Sequence, residues 1–455
     1  MKAFVTTLKI AAIAMAAAAI MSSCNKEDDN APDLYVFDVV LSFPDGMDPF
    51  EGINVKASQS NGSGVYESST DTEGIASFIL PAGIYNIVAS GVYPEESQVI
   101  CNASRSGVIV GKNIFPQATI PVTVSIKDNS LIIKEVYCGG VMKDDNSAAF
   151  NYDKYITIYN NSAEDYISEN LAITMAPYYN AEANTNSKLY TGDVFNYATT
   201  DFFPAMNGIW YFQGSLTIPA FSEIVVNIHG AINNTQTVTN SVNFANADYY
   251  CMYDPDYEGP GTNATNKYYN NTNNYPSPAE VIPTSHYLKT VKLGQGNAWP
   301  FSITSPAVYI YQTSFGTTPK DAAENAANAW MHDGYNTPAF GGCKVNREWI
   351  VDGVEVWNSE KISTSWKRLT DDIDAGHIAF TSKLGHSVYR NVDKEATEAL
   401  PENAGKLVYG YSLGNDPSGI DAEASIKKGA HIIFADSNNS SNDFHEREKC
   451  ALRGE

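Results

Sequence analysis

Alternating hydrophobic and polar residues predict β-strands along most of the chain. Residues 34–41 alternate, are rich in β-branched and aromatic side chains, and stop at the turn signal 43–46. Residues 76–80 and 84–89 repeat the pattern, each behind a Gly or Pro turn. Short strands with turns about every 8 to 12 residues are typical of a β-sandwich. We therefore predict an all-β chain that opens with a sandwich over residues 33–128.

A second set of strand patterns follows residue 130. The clearest are residues 131–138, 154–162, 223–228, 308–311, 350–357 and 387–390. We interpret residues 131–455 as a larger, immunoglobulin-like sandwich. Because a compact sandwich of this kind needs only about 100 residues, we expect long loop insertions at about 176–210, 229–300 and 314–348.

Two short helices interrupt the strand patterns. Thr318 suits the N-cap and Pro319 suits the first helical position, so we expect a helix that continues through residues 322–331. The second covers about 422–428 and stops at the glycine that follows.

The first 23 residues have the composition of an export signal. A positively charged start precedes an apolar run over 10–21, which at about 12 residues is too short to span a bilayer. The tetrapeptide M-S-S-C that ends at Cys24 resembles a bacterial lipobox, in which the cysteine is lipidated. The acidic tether over 24–32 resembles the export signal of lipoproteins that Bacteroidetes carry to the outer face of the outer membrane. These resemblances imply a lipid anchor on Cys24, in the outer membrane and facing the exterior.

Charge and cysteine content exclude several classes of protein. The formal net charge is −23, and since each phosphate contact needs Lys or Arg, we expect no nucleic-acid partner. The cysteines after the lipobox are far apart and odd in number, with no C-x-x-C pair, so neither a zinc site nor a disulfide-dense scaffold is predicted. They are Cys101, Cys138, Cys251, Cys343 and Cys450, and their pairing is open.

Three sequence motifs resemble known families. The segment D-T-E-G-I-A-S-F-I-L-P-A-G-I-Y over 71–85 is similar to the prealbumin-like sandwich of carboxypeptidase regulatory domains, which act as spacers or adhesive modules. The motifs I-K-E-V-Y over 133–137 and S-V-Y-R over 387–390 resemble lamin-tail domains. As a whole the chain resembles an uncharacterised family of Bacteroides lipoproteins, DUF4876. The resemblance implies two sandwiches and no catalytic residues.

A stretch rich in tyrosine and asparagine, residues 249–276, offers a candidate binding surface. Its tyrosines are Tyr249, Tyr250, Tyr253, Tyr257, Tyr268, Tyr269 and Tyr275. Tyrosine gives rigid contact area with a polar tip, and asparagine adds adaptable hydrogen bonds, which suits a protein partner or a glycan. Two interpretations are open: the tyrosines form a recognition surface, or they pack onto the sandwich beneath them.

The same stretch carries an incomplete calcium pattern. Asp254, Asp256 and Glu258 occupy positions 1, 3 and 5 of a calcium loop, and Gly259 follows at position 6. Position 12, where a bidentate Glu is needed, is Thr265. A solvated acidic turn is the competing interpretation.

The motifs of common hydrolases are missing from the sequence. There is no G-x-S-x-G nucleophile motif, and H-E-R-E over 445–448 lacks the second His of a zinc protease. A glycosidase carboxylate pair stays open, because its spacing depends on the fold. We therefore expect a non-catalytic surface lipoprotein without a required cofactor, which binds a partner or ligand and serves an outer-membrane transporter or barrel. An adhesin or glycan-binding protein is the alternative, and a hydrolase is the third choice.

Overall fold

The computed structural model describes most of the chain after residue 31. It covers residues 32–44, 46–60, 64–94, 99–126, 130–150, 152–168, 170–182, 189–257, 276–293, 301–314, 316–331, 341–411 and 416–453. Strands in several sheets dominate this part, and its α-helices are short. The chain is an all-β sandwich protein, which confirms the predicted fold class. In the part that the structure describes, no helix is both long and apolar enough to cross a membrane.

The strands and helices run in this order. The strands are β1 (Leu34–Ser42), β2 (Asn54–Gln59), β3 (Val65–Ser69), β4 (Ile75–Pro81), β5 (Gly83–Val92), β6 (Val99–Val110), β7 (Gln117–Pro121), β8 (Thr123–Ile126), β9 (Leu131–Tyr137), β10 (Val141–Met142), β11 (Ala149–Phe150), β12 (Tyr155–Asn160), β13 (Tyr166–Ser168), β14 (Leu171–Met175), β15 (Tyr190–Thr191), β16 (Val194–Phe195), β17 (Phe202–Tyr211), β18 (Leu216–Ile218), β19 (Glu223–Asn227), β20 (Tyr250–Cys251), β21 (Lys289–Lys292), β22 (Ala307–Gln312), β23 (Ala329–Met331), β24 (Gly341–Asn346), β25 (Ile350–Asn358), β26 (Ile378–Phe380), β27 (Ser387–Arg390) and β28 (Phe444–Arg447). The helices are α1 (Pro319–Glu324), α2 (Asp371–Asp374), α3 (Lys394–Ala399), α4 (Ala422–Lys427) and α5 (Ser440–Asp443).

The strands β1 to β8 form what we call the N-terminal sandwich. One sheet has the order β4-β1-β7 and the other β3-β2-β5-β6-β8. The alternation predicted for β1 is confirmed, since Phe37, Val39 and Leu41 point into the shared core while Leu34 and Val36 are exposed. Both sheets contribute to that one core cluster, so they pack face to face. Its assignment to the prealbumin-like family and its exact boundaries stay predictions.

The strands after β8 build the larger sandwich. One sheet has the order β20-β19-β12-β9-β27-β28, and the other has the order β23-β24-β17-β14-β22-β25-β26, with β21 pairing to β17. Ile133, Ile156, Ile173, Trp210 and Ile310 come from strands of both sheets and belong to one buried core cluster. Its membership of the lamin-tail family stays a prediction.

All three segments that we expected as loop insertions supply strands, and β20 and β21 lie within 229–300. Strand β17 begins within 176–210 and ends one residue beyond it. It pairs with β14, β21 and β24. Strand β24 lies within 314–348. Strand β17 could not be predicted from the sequence, because it is buried over almost its full length and so shows no alternation of apolar and polar residues. Pro204 and Asn207 also interrupt its strand composition.

The first predicted helix is shorter than expected, and the second agrees with expectation. The side chain of Thr318 caps α1 by accepting a hydrogen bond from the backbone N–H of Asp321, as predicted. The expected continuation to residue 331 is wrong, because Asn325 caps a new 3-10 turn and Trp330 is buried in β23. Helix α4 begins after the N-cap Asp421 and is followed by Gly429 with φ of +78°.

Candidate functional site

Two of the candidate tyrosines are tied into the core of the larger sandwich. Tyr250 lies in β20, its ring stacks on the imidazole of His286 at 4.1 Å between centroids, and its edge meets Phe212 at 5.2 Å. Tyr257 packs against the same core cluster, and its hydroxyl accepts a hydrogen bond of 3.1 Å from the backbone N–H of Lys292. These contacts hold both rings against the body of the protein.

The other two described tyrosines also make packing contacts. Tyr249 packs against the buried cluster that contains Val225 and Phe244. Tyr253 meets Tyr287 edge to face with centroids 5.5 Å apart. For these four positions the structure thus shows the contacts that the packing interpretation requires. Tyr268, Tyr269 and Tyr275 lie outside the described residues, so a recognition role for them stays a prediction.

The acidic residues of the calcium pattern bind a lysine. The ammonium of Lys289 lies 3.0 Å from a carboxylate oxygen of Asp254 and 2.9 Å from one of Asp256. Asp254 is buried and also accepts a hydrogen bond of 3.0 Å from the backbone N–H of Thr290. The lysine therefore occupies the place between these two carboxylates that a calcium ion would need, and supplies one of the two positive charges that the ion would bring. Glu258 lies outside the described residues, and a calcium site would have to displace Lys289.

The five cysteines after Cys24 offer neither a disulfide nor a reactive thiol. All five are buried and unpaired. Burial raises the pKa of the Cys101 thiol to about 11 and that of Cys138 to about 12, because the thiolate loses its solvation. Over the described ranges, no three His, Cys, Asp or Glu side chains are placed to hold a metal ion.

A fully buried ion pair joins two parts of the larger sandwich. Glu355 on β25 accepts hydrogen bonds from the Nε of Arg368 at 2.8 Å and from the backbone N–H groups of Arg368 and Leu369. The guanidinium also donates to the carbonyl oxygens of Tyr178 and Ser305. Burial disfavours the carboxylate, but Arg368 outweighs it and lowers the pKa of Glu355. The pair has no face open to a substrate and acts as a clamp.

The S-V-Y-R motif ends in a second buried charge cluster. Arg390 lies with its guanidinium 2.5 Å from Asp352 and 2.9 Å from Asp436, and Asp443 follows at 3.8 Å. Burial raises the pKa of Asp352 to about 7, since Arg390 offsets only part of the desolvation and Asp436 adds repulsion. The cluster connects β27, β25 and the Asn/Ser-rich segment near Ser437.

That Asn/Ser-rich segment also contacts the N-terminal sandwich. The Nδ2 of Asn102 on β6 donates to the carbonyl oxygen of Ser437 at 2.9 Å. Nearby, the hydroxyl of Ser104 donates to Asp371 at 2.9 Å. The two sandwiches therefore meet through hydrogen bonds.

A third cluster lies on the outer face of the six-stranded sheet. The ammonium of Lys134, which is completely buried, binds Glu223 and lies 2.8 Å from Glu423 on α4. The hydroxyl of Tyr389 donates to Glu423 at 2.7 Å. Burial lowers the pKa of Lys134, but the two carboxylates outweigh it and raise the pKa well above its ordinary value. These three clusters use their charged groups to hold distant segments together.

A feature that the sequence did not reveal opens on the N-terminal sandwich. A cleft of about 230 Å³ lies between residues 35–37 of β1 and the loop 110–116. Its rim is apolar and accessible: the side chain of Phe115 is 74% exposed and that of Val36 is 58% exposed. The only signal in the sequence is an aromatic residue that directly precedes the turn residue Pro116.

One wall of this cleft is an open strand edge. Strand β7 pairs with β1 only from Asp38 onward, where the backbone N–H of Asp38 donates to the carbonyl oxygen of Pro116 at 3.0 Å. Alternate residues of a strand direct their N–H and C=O groups to the same side. The N–H and C=O of Val36 therefore point into the cleft, beyond the end of the β1–β7 pairing.

Comparison with known proteins identifies the family. The profile described as a protein of unknown function, DUF4876, matches residues 222–451, which is half of the chain. The chain belongs to the DUF4876 family. The crystal structure of a DUF4876 family protein from Bacteroides thetaiotaomicron at 2.50 Å resolution is similar, with a TM-score of 0.51 and 17% identity over 90% of this chain and 94% of that chain. At this identity the likeness shows the fold alone.

More distant likenesses carry no argument about this DUF4876 protein. The full-length major pilin SpaD of Corynebacterium diphtheriae aligns with 12% identity over 44% of this chain and 66% of that chain, at a TM-score of 0.16. No curated protein matches the chain.

Proposed function

We propose that this DUF4876 protein is a non-catalytic lipoprotein on the outer face of the outer membrane, where it binds a protein partner of that membrane, a barrel or a transporter. The observation that carries the proposal is the contrast between its interior and its surface. The charged groups of the three buried clusters are engaged with one another, whereas the N-terminal sandwich presents an accessible apolar cleft beside an open strand edge. Such a surface suits a binding protein.

The lipobox supports the proposed location. Lipidation of Cys24 would place the protein on a membrane, and the tether that follows has the composition expected of an exported lipoprotein. A Cys24→Ala variant should lose both fatty-acid labelling and membrane attachment. Protease treatment of intact cells should degrade the wild-type protein if it faces the exterior, and protection from the protease would contradict that orientation.

Glycan binding is the weaker alternative. A glycan platform needs exposed aromatic rings that lie in one plane, and Tyr250 and Tyr253 instead press against neighbouring rings. Co-purification from detergent-solubilised outer membrane separates the two functions. A barrel or transporter should co-purify with the wild-type protein. Absence of any such partner, together with binding to a glycan array, would favour the glycan instead.

The role of the tyrosine stretch in this co-purification is better tested by point substitutions than by deletion. Deletion of the whole stretch would remove β20 and the buried Cys251 and Met252, and would damage the core. Replacement of Tyr268, Tyr269 and Tyr275 by serine leaves those residues in place. Loss of the partner in this variant would assign the docking surface to the stretch, and retention would remove that role.

A further inference from the structure

We propose that the cleft beside β1 receives an extended, apolar segment of a membrane-embedded partner, which pairs with the open edge of β1 as an additional strand and carries an acidic side chain. This inference rests on the proposed function and adds the surface and the chemistry of the partner. Exposed strand edges of this kind are where proteins accept a strand from another chain.

The backbone determines the shape of the occupant. Val36 directs its N–H and C=O into the cleft, and no hydrogen bond joins Val36 to the loop 110–116, all of which the structure describes. An extended segment laid along β1 would satisfy these groups, which a compact side chain would not do. The side chains of Val36, Ile114 and Phe115, each at least 43% exposed, would then cover the apolar side chains of that segment.

Charge distinguishes a foreign segment from a second copy of this chain. Among the lining residues, all of which are described, Lys112 alone carries a charge. The one charge that lines the cleft is therefore positive, on a chain whose net charge is −23, and it favours an acidic side chain on the occupant. Edge-to-edge pairing of two copies would bring two strongly acidic chains together. It would also place the Lys112 of one cleft near the Lys112 of the other.

The position of the cleft indicates where the partner is. Leu34 opens β1 ten positions after Cys24, so the residues between them span at most about 35 Å even when fully extended. A lipid on Cys24 would hold the cleft within that distance of the membrane surface. A segment of an outer-membrane protein that emerges from the bilayer lies within reach.

A defined peptide tests the chemistry. The probe is a fluorescent ten-residue peptide of alternating valine and threonine with glutamate at both ends, and its anisotropy is measured with the full-length lipidated protein in detergent. The same peptide with lysine ends should bind about 5-fold more weakly or worse. A peptide with a central proline should not bind, because proline lacks the N–H and breaks the strand. Equal binding of all three peptides would overturn the inference.

Matched variants test the surface. Val36→Asp and Val65→Asp change the same residue type at 58% and 54% exposure, on β1 and on β3. Val36→Asp should weaken the glutamate-ended peptide at least about 10-fold, while Val65→Asp should stay within about 2-fold. Val36→Pro should also lose binding yet keep the melting temperature, since the N–H of Val36 points away from β4. Unchanged binding by Val36→Pro would overturn the inference.

Co-purification distinguishes failure of this inference from failure of the proposed function. A membrane partner that is retained by wild type and Val65→Asp and lost by Val36→Asp supports both. A partner retained by Val36→Asp leaves the proposed function standing and overturns the inference. Absence of a partner from wild type removes both, and a wild-type homodimer that Val36→Asp dissociates would assign the cleft to self-association instead.

Discussion

The two sandwiches are stabilised by different means. Within the part of residues 32–126 that the structure describes, no charged side chain is fully buried, and the core is a single apolar cluster. The larger sandwich buries Lys134, Glu355, Arg368 and Arg390 among others. The first sandwich therefore depends on alternation and packing, whereas the second depends also on ion pairs between segments far apart in the chain. In this protein the buried charged groups accordingly stabilise the fold, and the candidate binding site is an accessible apolar surface.

The largest expected effect comes from breaking the clamp of the larger sandwich. Arg368→Met leaves Glu355 charged, buried and without its partner, which should cost about 3–5 kcal/mol of unfolding free energy. Chemical denaturation measures it. Lys320→Met removes the exposed Lys320–Glu324 pair and serves as the control, with an expected change below about 0.5 kcal/mol. Equal effects of the two variants would contradict a structural role for buried charge.

A core truncation in the N-terminal sandwich should cost about as much or somewhat less. Leu80 is fully buried, so Leu80→Ala should destabilise by about 2–5 kcal/mol through lost burial and a residual cavity. Hydrogen exchange should show the loss first in β1 to β8. Leu34→Ala, at a position 47% exposed, is the control and should change little. Loss of protection that begins in the larger sandwich would contradict separate cores.

The Arg390 cluster should make stability depend on pH. Burial raises the pKa of Asp352 to about 7 and that of Asp443 to about 6, against about 4 in an unfolded chain. The folded state thus binds more protons between about pH 4 and 7, and stability falls as the pH rises through that window. This cluster should therefore raise the melting temperature at pH 5 relative to pH 8. The buried His377 and His445, whose pKa values burial lowers, act in the opposite direction.

A single substitution assigns that pH effect to the cluster. Asp436 repels the charged forms of Asp352 and Asp443, so Asp436→Asn should reduce the difference in melting temperature between pH 5 and pH 8. The same difference in the variant and the wild type would place the effect elsewhere.

The Lys289 bridge should make wild-type stability insensitive to calcium. Because the ammonium of Lys289 already lies between Asp254 and Asp256, millimolar calcium should not shift the melting temperature. Lys289→Gln removes that charge and should cost about 1 kcal/mol or less, since the lysine is partly exposed. A calcium-dependent increase in the melting temperature of the wild type would favour the calcium interpretation of the sequence pattern over the acidic turn.

The smallest effect on stability is expected at the cleft itself. Phe115→Ser removes a side chain that is 74% exposed, so the unfolding free energy should change by less than about 0.5 kcal/mol. Its effect should appear in the binding of the glutamate-ended peptide. A large loss of stability would mean that Phe115 serves the core and that the cleft is not a free surface.

The alternating strands were readable from sequence because each carries its own signal. Strand β1 shows which residues are inside without reference to any other segment. Strand β17 does not, since both its faces are buried and its partners β14 and β24 lie far along the chain. The clamp between Glu355 and Arg368 depends likewise on where the chain folds back, and 13 positions of spacing carry no recognisable motif.

The candidate site was missed for a related reason. The sequence drew attention to the tyrosine stretch by composition, but composition does not tell whether a ring packs or is displayed. The cleft arises because the pairing of β1 with β7 begins only at Asp38 and leaves residues 35–37 of β1 without a partner strand on that side. This is a property of the strand register. Its apolar residues, Val36, Ile114 and Phe115, are too few to form a pattern along the chain.

The most direct test of the account is photo-cross-linking in the native outer membrane. A photoreactive amino acid replaces Ile114 on the rim of the cleft in one strain and Val65 on β3, an edge strand of the other sheet, in another strain, in the full-length lipidated protein. Position 114 should cross-link one outer-membrane protein and Val36→Pro should abolish the product, while position 65 should give none. The same product from both positions, or a product that persists in Val36→Pro, would contradict docking at the cleft.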